Sequence, residues 1–407
     1  MKKDKKKDKK WMRLRHRIVR NAAFWVVGTF TRLKTGVKVE KFKEQGDRPY
    51  LIIMNHQTVF DQFFVGMAFK GPIYYLATED IFSNGFISKL LTWAVAPIPI
   101  KKQTTDVRAV MNCIRIAKEG GTIALAPEGN RTYSGRTCYF KPAILALVRK
   151  LKLPLAIFRI EDGYGIQPRW SDCVRRGKMH AGVARVVEPE EYEKLSNDEL
   201  MKIITEGIHV DEAKVTGTFR HKKLAEYLER AVYVCPECGL SVFESHDDLV
   251  QCTKCGMTAR YLPTKELEGV NCKFPFRFVG DWYDYQSDFI NGLQLDAPEY
   301  CEEPVYTDEV KLSEVILYKN KQLLCSDAQM ELYGDRIVVK GSVPLEIPFS
   351  EAGVITVLGR NKLNVYFGDK VYQMVGSKRF NALKYVHFFN RYKNIAEGNP
   401  DETFLGL

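Results

Sequence analysis

The sequence predicts an α/β domain with a largely parallel sheet and flanking helices, then a small metal-stapled module, then a β-rich, barrel-like domain ending in a helix. Three observations predict it. Residues 48–187 alternate short apolar runs with segments of helical spacing, the rhythm of strands joined by crossover helices. Two Cys-x-x-Cys-Gly turns stand 13 residues apart in the middle of the chain. From about Ser313 the pattern becomes short strands divided by Gly334-Asp335 and Gly368-Asp369 turns, with one long helical stretch after them.

A chain of 407 residues that is 45% hydrophobic has material for two or three domains with real cores. The expected segments are a basic arm with an amphipathic helix (1–30), the α/β domain with a helical tail (31–232), the cysteine module (233–262), a connector (263–312), the barrel-like domain (313–395) and a tail (396–407). The net charge of +11 is uneven. Residues 1–20 hold eleven basic and two acidic side chains, leaving 50 basic and 48 acidic ones elsewhere. The body is therefore nearly neutral and the basicity is an arm.

After the lysines, Trp11, Leu14, Ile18, Ala22 and Trp25 fall on one helical stripe, with Arg13, Arg17 and Arg20 opposite. That pattern suits a helix lying in an anionic membrane surface. It equally suits a helix packed on the domain behind it, and the lysine arm alone could serve nucleic acid. No run reaches the roughly 20 apolar residues needed to span a bilayer. The start lacks a small-residue cleavage site, so no secretory leader is expected. Ten cysteines then imply thiols or metal in a reducing compartment rather than disulfides.

Strands are expected at Tyr50–Met54, Ile73–Ala77, Pro97–Ile100, Gly121–Ala126, Leu155–Ile160 and Gly182–Val187. Helices are expected at Phe60–Phe69, Ser88–Ala94, Val107–Lys118 and Ala143–Lys150, with a charged helical brace over 190–232. The first strand ends on Asn55-His56, and Asp61 opens the next helix. His56 and Asp61 lie about 140° apart on a helix, so they meet only if His56 sits in the turn. A carboxylate there takes the proton on one imidazole nitrogen and leaves the other as a base. Thr58-x-x-Asp61 also reads as a capping box, which would make Asp61 no more than a helix cap.

The strand over 122–126 runs into Pro127-Glu128-Gly129-Asn130-Arg131, where glycine allows close backbone approach and arginine offers a forked donor to an anion. Another strand ends on Ile100-Lys101-Lys102, and Leu153-Pro154 opens a further one. Asn55-His56-x-x-x-x-Asp61, Ile100-Lys101-Lys102, Pro-Glu-Gly-Asn-Arg with Phe140-Lys141, and Leu153-Pro154, in this order, resemble the glycerolipid acyltransferases, and within them the lysophosphatidic acid acyltransferases. The resemblance covers about residues 40–190. It implies that His56 is the general base, that Asp61 orients it, and that Glu128, Gly129, Arg131 and Lys101 or Lys102 hold the acceptor's phosphate. The chain departs from the pattern at Asn130, where threonine is usual, at Ala126, where an aromatic is usual, and in having lysine rather than arginine in the second block. No Ser-centred nucleophile elbow and no nucleotide loop is present.

Cys235, Cys238, Cys252 and Cys255 offer four thiolates suited to tetrahedral, structural zinc, and the segment resembles a zinc ribbon. About thirty residues cannot build a sufficient core without such a staple. Acidic residues outnumber basic ones between Cys235 and Lys273, so nucleic acid is not an expected partner. The strands after Ser313 and the helix expected over 377–393 resemble a pleckstrin-homology-like domain. The function that the acyltransferase resemblance implies is transfer of a fatty acyl group from an acyl carrier protein or coenzyme A thioester to lysophosphatidate, giving phosphatidate, and the basic arm adds the expectation of a peripheral enzyme on the cytoplasmic membrane face. Glycerol 3-phosphate or another lysophospholipid is the alternative acceptor. A non-catalytic membrane-associated scaffold is the alternative class.

Overall fold

The computed structural model describes residues 10–100, 106–316 and 319–398. Most of the lysine arm, the tail after 398, and Lys101 and Lys102 lie outside the described residues. The first domain is built on strands β1 (Val37–Val39), β2 (Leu51–Met54), β3 (Ile73–Thr78), β4 (Ile98–Ile100), β5 (Thr122–Leu125), β6 (Leu155–Glu161) and β7 (Met179–Val187), in the order β1-β7-β6-β2-β5-β3-β4. Around them lie α1 (Leu14–Thr35), α2 (Asp61–Ala68), α3 (Gly85–Val95), α4 (Val107–Lys118), α5 (Ala143–Leu151), α6 (Gly163–Ile166), α7 (Pro189–Tyr192) and α8 (Asn197–Ile208).

The central strands β2 and β5 are buried on both faces, which is why they read as unbroken apolar runs. Alternate residues serve opposite cores. Leu51, Ile53, Ile123, Leu155 and Ile157 join the core that includes residues of α4, α5 and α8, while Ile52, Met54, Ala124, Ala156 and Phe158 join the one that includes residues of α2. β2 pairs parallel with β5 and β6, and β3 with β5 and β4. β7 returns antiparallel to β6, so the sheet is mixed, with a parallel centre. The helical brace expected over 190–232 is confined to α7 and α8. Between Ile208 and Val234 the chain is irregular apart from one 3₁₀ turn at Leu228–Arg230.

The cysteine module contains β8 (Val234–Cys235), β9 (Gly239–Leu240), β10 (Phe243–His246), β11 (Leu249–Cys252), β12 (Thr258–Tyr261) and β13 (Leu267–Gly269). The connector is more ordered than the sequence suggests, with α9 (Val279–Asn291) and α10 (Pro298–Cys301). Next come β14 (Tyr306–Glu314), β15 (Gln322–Leu332), β16 (Arg336–Lys340), β17 (Leu345–Pro348), β18 (Ala352–Leu358), β19 (Lys362–Phe367), β20 (Lys370–Val375) and α11 (Leu383–Ala396). The last seven strands form one antiparallel, nearly closed sheet in the order β17-β16-β15-β14-β20-β19-β18. Val315 and Ile316 follow β14 outside any strand, and β14 itself lies where a connector was expected. Ala382 at the N-cap and Val386 and Phe389 within the last helix are buried, and the helix begins at Leu383 rather than at 377. Module, α9 and barrel share a single hydrophobic core, which also takes in Tyr133 and Trp170 of the first domain.

Candidate active site

The turn between β2 and α2 is held from three sides. Asn55 donates from Nδ2 to the Ile160 carbonyl and accepts from the Ile160 amide, both at 2.8 Å, which pins the end of β2 to β6. Gly163 packs beneath the turn, and a Cβ there would meet the Gln57 Cβ at 2.6 Å. Asp61, the first residue of α2, is fully buried and accepts from the Gln57 amide (2.7 Å), the Thr58 amide (2.9 Å) and the Thr58 hydroxyl (2.7 Å). Its Oδ2 also lies 2.7 Å from His56 Nδ1. Among the described residues no side chain caps α2, and the carboxylate that ties down the Gln57-Thr58 turn is instead the histidine's partner. An ionised carboxylate only accepts, so the imidazole proton sits on Nδ1 and Nε2 is left with a free lone pair. The His56 side chain is 28% exposed, so that lone pair is reachable.

Glu128 lies under the same turn. Oε1 accepts from the His56 amide and Oε2 from the Cys138 amide, each at 2.8 Å, and the residue is buried. Burial pushes its carboxyl up to about 8, outweighing the two amide donors that favour the charged form. Each oxygen is engaged by a backbone amide, so Glu128 positions the turn, a role beyond the acceptor contact expected of it. Gly129 sits at φ 70°, where the strand-end turn needs a left-handed residue.

Arg131 is buried, and its Nη1 has no hydrogen-bond partner among the described residues. Burial pushes the guanidinium down to about 9, and the Arg169 and Arg360 charges add to the push, while Asp61 partly offsets it. It remains charged at neutral pH and feels the Asp61 carboxylate. Sequence reasoning missed Arg169, which is 1% exposed and donates to the Arg131 carbonyl (2.9 Å) and to Asn130 Oδ1 (3.2 Å). Gln167-Pro168-Arg169-Trp170 carries no periodicity that could have marked it. Lys101 and Lys102 follow β4 directly but lie outside the described residues.

Away from this turn, the sulfurs of Cys235, Cys238, Cys252 and Cys255 lie within 4.8 Å of one another, with Cys235–Cys255 and Cys238–Cys252 at 3.6 Å. Zn–S bonds of about 2.3 Å set S···S edges of about 3.8 Å, so donor set and spacing both fit tetrahedral zinc.

A second feature is an apolar rim. On α1, Leu14, Ile18, Trp25, Val26, Phe30 and Leu33 are exposed, while His16, Gly28, Thr31 and Thr35 face the domain. Beside it α3 exposes Phe86, Ile87, Leu90 and Trp93, and Arg15 of α1 donates to the Trp93 carbonyl at 2.9 Å. Trp11 does not belong to the exposed stripe expected of it. It precedes the helix, its backbone amide donates to Glu119 and its indole to the Ala96 carbonyl. Among the described residues no helix is long and apolar enough to cross a membrane.

Residues 35–161, which contain the His56–Asp61 turn and the Arg131 block, match the family model described as Acyltransferase. Over these residues the chain is acyltransferase-like, and relatives described as 1-acyl-sn-glycerol-3-phosphate acyltransferases are similar to it. The 1-acyl-sn-glycerol-3-phosphate acyltransferase of Bacillus subtilis is 22% identical over 179 residues, 44% of this chain and 86% of that protein. A chloroplastic protein of the same description from Brassica napus is 22% identical over 175 residues, 41% of this chain and 47% of that one. The chain thus spans about half the length of the Brassica relative. Among solved structures, the 1-acyl-sn-glycerophosphate acyltransferase PlsC of Thermotoga maritima matches with a TM-score of 0.38 and 23% identity, covering 47% of this chain and 75% of that one.

Proposed function

We propose that the protein transfers a fatty acyl group from a thioester of acyl carrier protein or coenzyme A to the free hydroxyl of lysophosphatidate, giving phosphatidate. The observation that carries this reading is the 2.7 Å His56–Asp61 contact, together with a buried Arg131 donor that has no partner among the described residues. The acceptor oxygen attacks the thioester carbonyl as its proton passes to His56 Nε2. The C–S bond then breaks, and the thiolate leaves with that proton. A thioester is already activated, so the hydroxyl is the partner that needs help, and a positioned base contributes roughly 10²–10⁴-fold. Asp61 fixes the tautomer and stabilises the imidazolium, and Arg131 supplies a charge-assisted donor to the acceptor's phosphate.

The four cysteines would hold one structural zinc, and the strands after Tyr306 with α11 would form a pleckstrin-homology-like domain. The exposed rim of α1 and α3, with the basic arm, would seat the enzyme peripherally on an anionic membrane, on its cytoplasmic face. One observation favours the scaffold alternative: three of the bonds Asp61 accepts hold the Gln57-Thr58 turn, a purely structural task.

The test is to incubate the purified protein with both thioesters and a panel of phosphorylated and unphosphorylated lyso-acceptors. Turnover that His56→Ala abolishes without unfolding the protein is the expected result. No turnover with any pair would leave the scaffold reading, and wild-type rates in a folded His56→Ala protein would remove His56 from the mechanism.

A further inference from the structure

We propose that the acceptor's anion site is shared between domains: Arg360, on the β18–β19 turn of the C-terminal barrel, joins Arg131 in binding the phosphate monoester of the acceptor. The proposal rests on the acyl-transfer reading for the identity of the acceptor.

The barrel is fastened to the Arg131 block by Arg169 and Tyr133. Besides the Arg131 carbonyl and Asn130, Arg169 donates from Nη2 to the Val357 carbonyl and from Nε to the Gly359 carbonyl, each at 3.0 Å. Its guanidinium also lies 4.3 Å from the centre of the Tyr133 ring. The Tyr133 hydroxyl in turn donates to the Arg360 carbonyl at 3.2 Å. The turn carrying Arg360 is thus held against the strand-end loop that carries Arg131.

The charges gathered there do not balance, even with Asp61 partly offsetting the crowding at Arg131. Arg360 pairs through Nη1 with Asp172 at 3.0 Å, but Asp172 also takes Arg230 Nη1 at 2.7 Å. Arg169 spends its donors on carbonyl and amide oxygens. The buried Arg131 Nη1 and Arg360 Nε have no partner among the described residues. A buried donor left unpaired is costly, and like charges close together add to that cost. Guanidinium groups do not escape by losing a proton at neutral pH. A dianionic phosphate with three acceptor oxygens meets both needs, and forked arginine donors suit its geometry.

The experiment reads binding rather than turnover, on the full chain. Thermal unfolding is followed against increasing short-chain lysophosphatidate, the matching monoacylglycerol, and inorganic phosphate, for wild type, Arg360→Ala, Arg360→Lys and Arg131→Ala. Lysophosphatidate should stabilise wild type and the monoacylglycerol should not. Arg360→Ala should raise the half-saturating lysophosphatidate concentration by about 10- to 150-fold, the range for a lost charge-assisted bond, as should Arg131→Ala. Arg360→Lys, which keeps the charge but not the fork, should fall between, and it stands in if the alanine variant does not fold. Unchanged half-saturation in both Arg360 variants overturns the proposal. So does inorganic phosphate saturating wild type at the same concentration as lysophosphatidate, because the site would then hold a free anion. Turnover is scored separately. Arg360-dependent binding without any thioester turnover would sink the proposed function and leave the shared site, whereas turnover with Arg360-independent binding would do the reverse.

Discussion

Asp61 accepts from two backbone amides, a hydroxyl and an imidazole, and that saturation sets the consequences of replacing it. An asparagine there has one acceptor oxygen and turns an NH₂ toward groups that already donate. Asp61→Asn should therefore lose activity by about 10²–10⁴-fold and also lose about 1–3 kcal/mol of stability. His56→Ala removes only a partly exposed ring, so it should lose comparable activity at little cost in stability. Steady-state rates and unfolding midpoints of the two variants separate these effects, and an active Asp61→Asn enzyme would remove the carboxylate from the mechanism. Glu128 predicts a pH dependence. Its folded pKa is raised from an ordinary carboxylate value to about 8 by burial, so the folded state holds this proton where the unfolded chain has lost it. The stabilisation is complete below about pH 4.5 and disappears as pH rises through about 8. Wild type should accordingly lose melting temperature more steeply between pH 5 and 8 than Glu128→Gln, which has no proton to lose. Parallel curves for the two proteins would show that burial does not perturb this group. The His56, Asp61 and Arg131 placements are legible in the sequence because each stands where an apolar strand stops and a polar turn begins. The inward facing of Glu128 is not, because it depends on the Cys138 amide ten residues away.

The exposed rim belongs to helices, and the two helices differ in how far sequence discloses them. The α1 stripe is visible as basic and apolar residues at helical spacing, although tertiary bonds draw Trp11 out of it. In α3 the apolar residues run almost all round the helix, a pattern that reads as core inside a strand–helix alternation. The structure buries only Ser88 of that helix. Each large apolar side chain moved from water into the interface contributes up to about 1.5–3 kcal/mol. Trp25→Ser with Phe86→Ser should therefore weaken sedimentation with anionic vesicles even in 1 M salt, where screening to about 3 Å has suppressed the attraction of the arm. Deleting residues 1–10 should weaken it at low salt only. Undiminished vesicle binding by the double variant at high salt would move the membrane contact off this rim. The connector is the element where pattern failed most plainly. Strand β14 alternates short polar and apolar residues with acids among them, Tyr306-Thr307-Asp308-Glu309-Val310, and its strand character comes from pairing with β15 and β20 rather than from composition.

At the scale of the whole molecule, the cysteine cluster and the candidate active site belong to one mechanical unit. The need for a staple was argued from a module of thirty residues too small for its own core, yet that module shares the core of α9 and the barrel. The Trp282 indole donates to the Val234 carbonyl at 2.8 Å, one residue before Cys235. The Tyr306 hydroxyl reaches the carbonyls of Tyr233 and Ser241 at 3.2 Å, and the Asn381 amide reaches the Glu229 carbonyl at 2.8 Å. These contacts tie the cysteine turns to the first barrel strand and to the start of α11. The same barrel carries Val357 and Gly359, whose carbonyls hold Arg169 beneath Asn130 and Arg131. No local pattern could disclose that link, because Arg169 and Val357 stand 188 positions apart. If zinc fixes the cysteine turns, losing it should loosen the module first, then its packing on α9 and the barrel, and through Arg169 the anion site. The expectation is one zinc per chain, absent or weakly held in Cys252→Ser, with a lower unfolding midpoint and a raised KM for the phosphorylated acceptor. The His56–Asp61 turn rests on β2, β6 and Glu128 instead, so kcat should fall much less than affinity. Metal analysis, melting curves and initial rates on the same preparations decide it. A zinc-free wild type, or a Cys252→Ser protein with full zinc, would discard the staple, and a variant without zinc but with unchanged acceptor KM would uncouple the staple from the site.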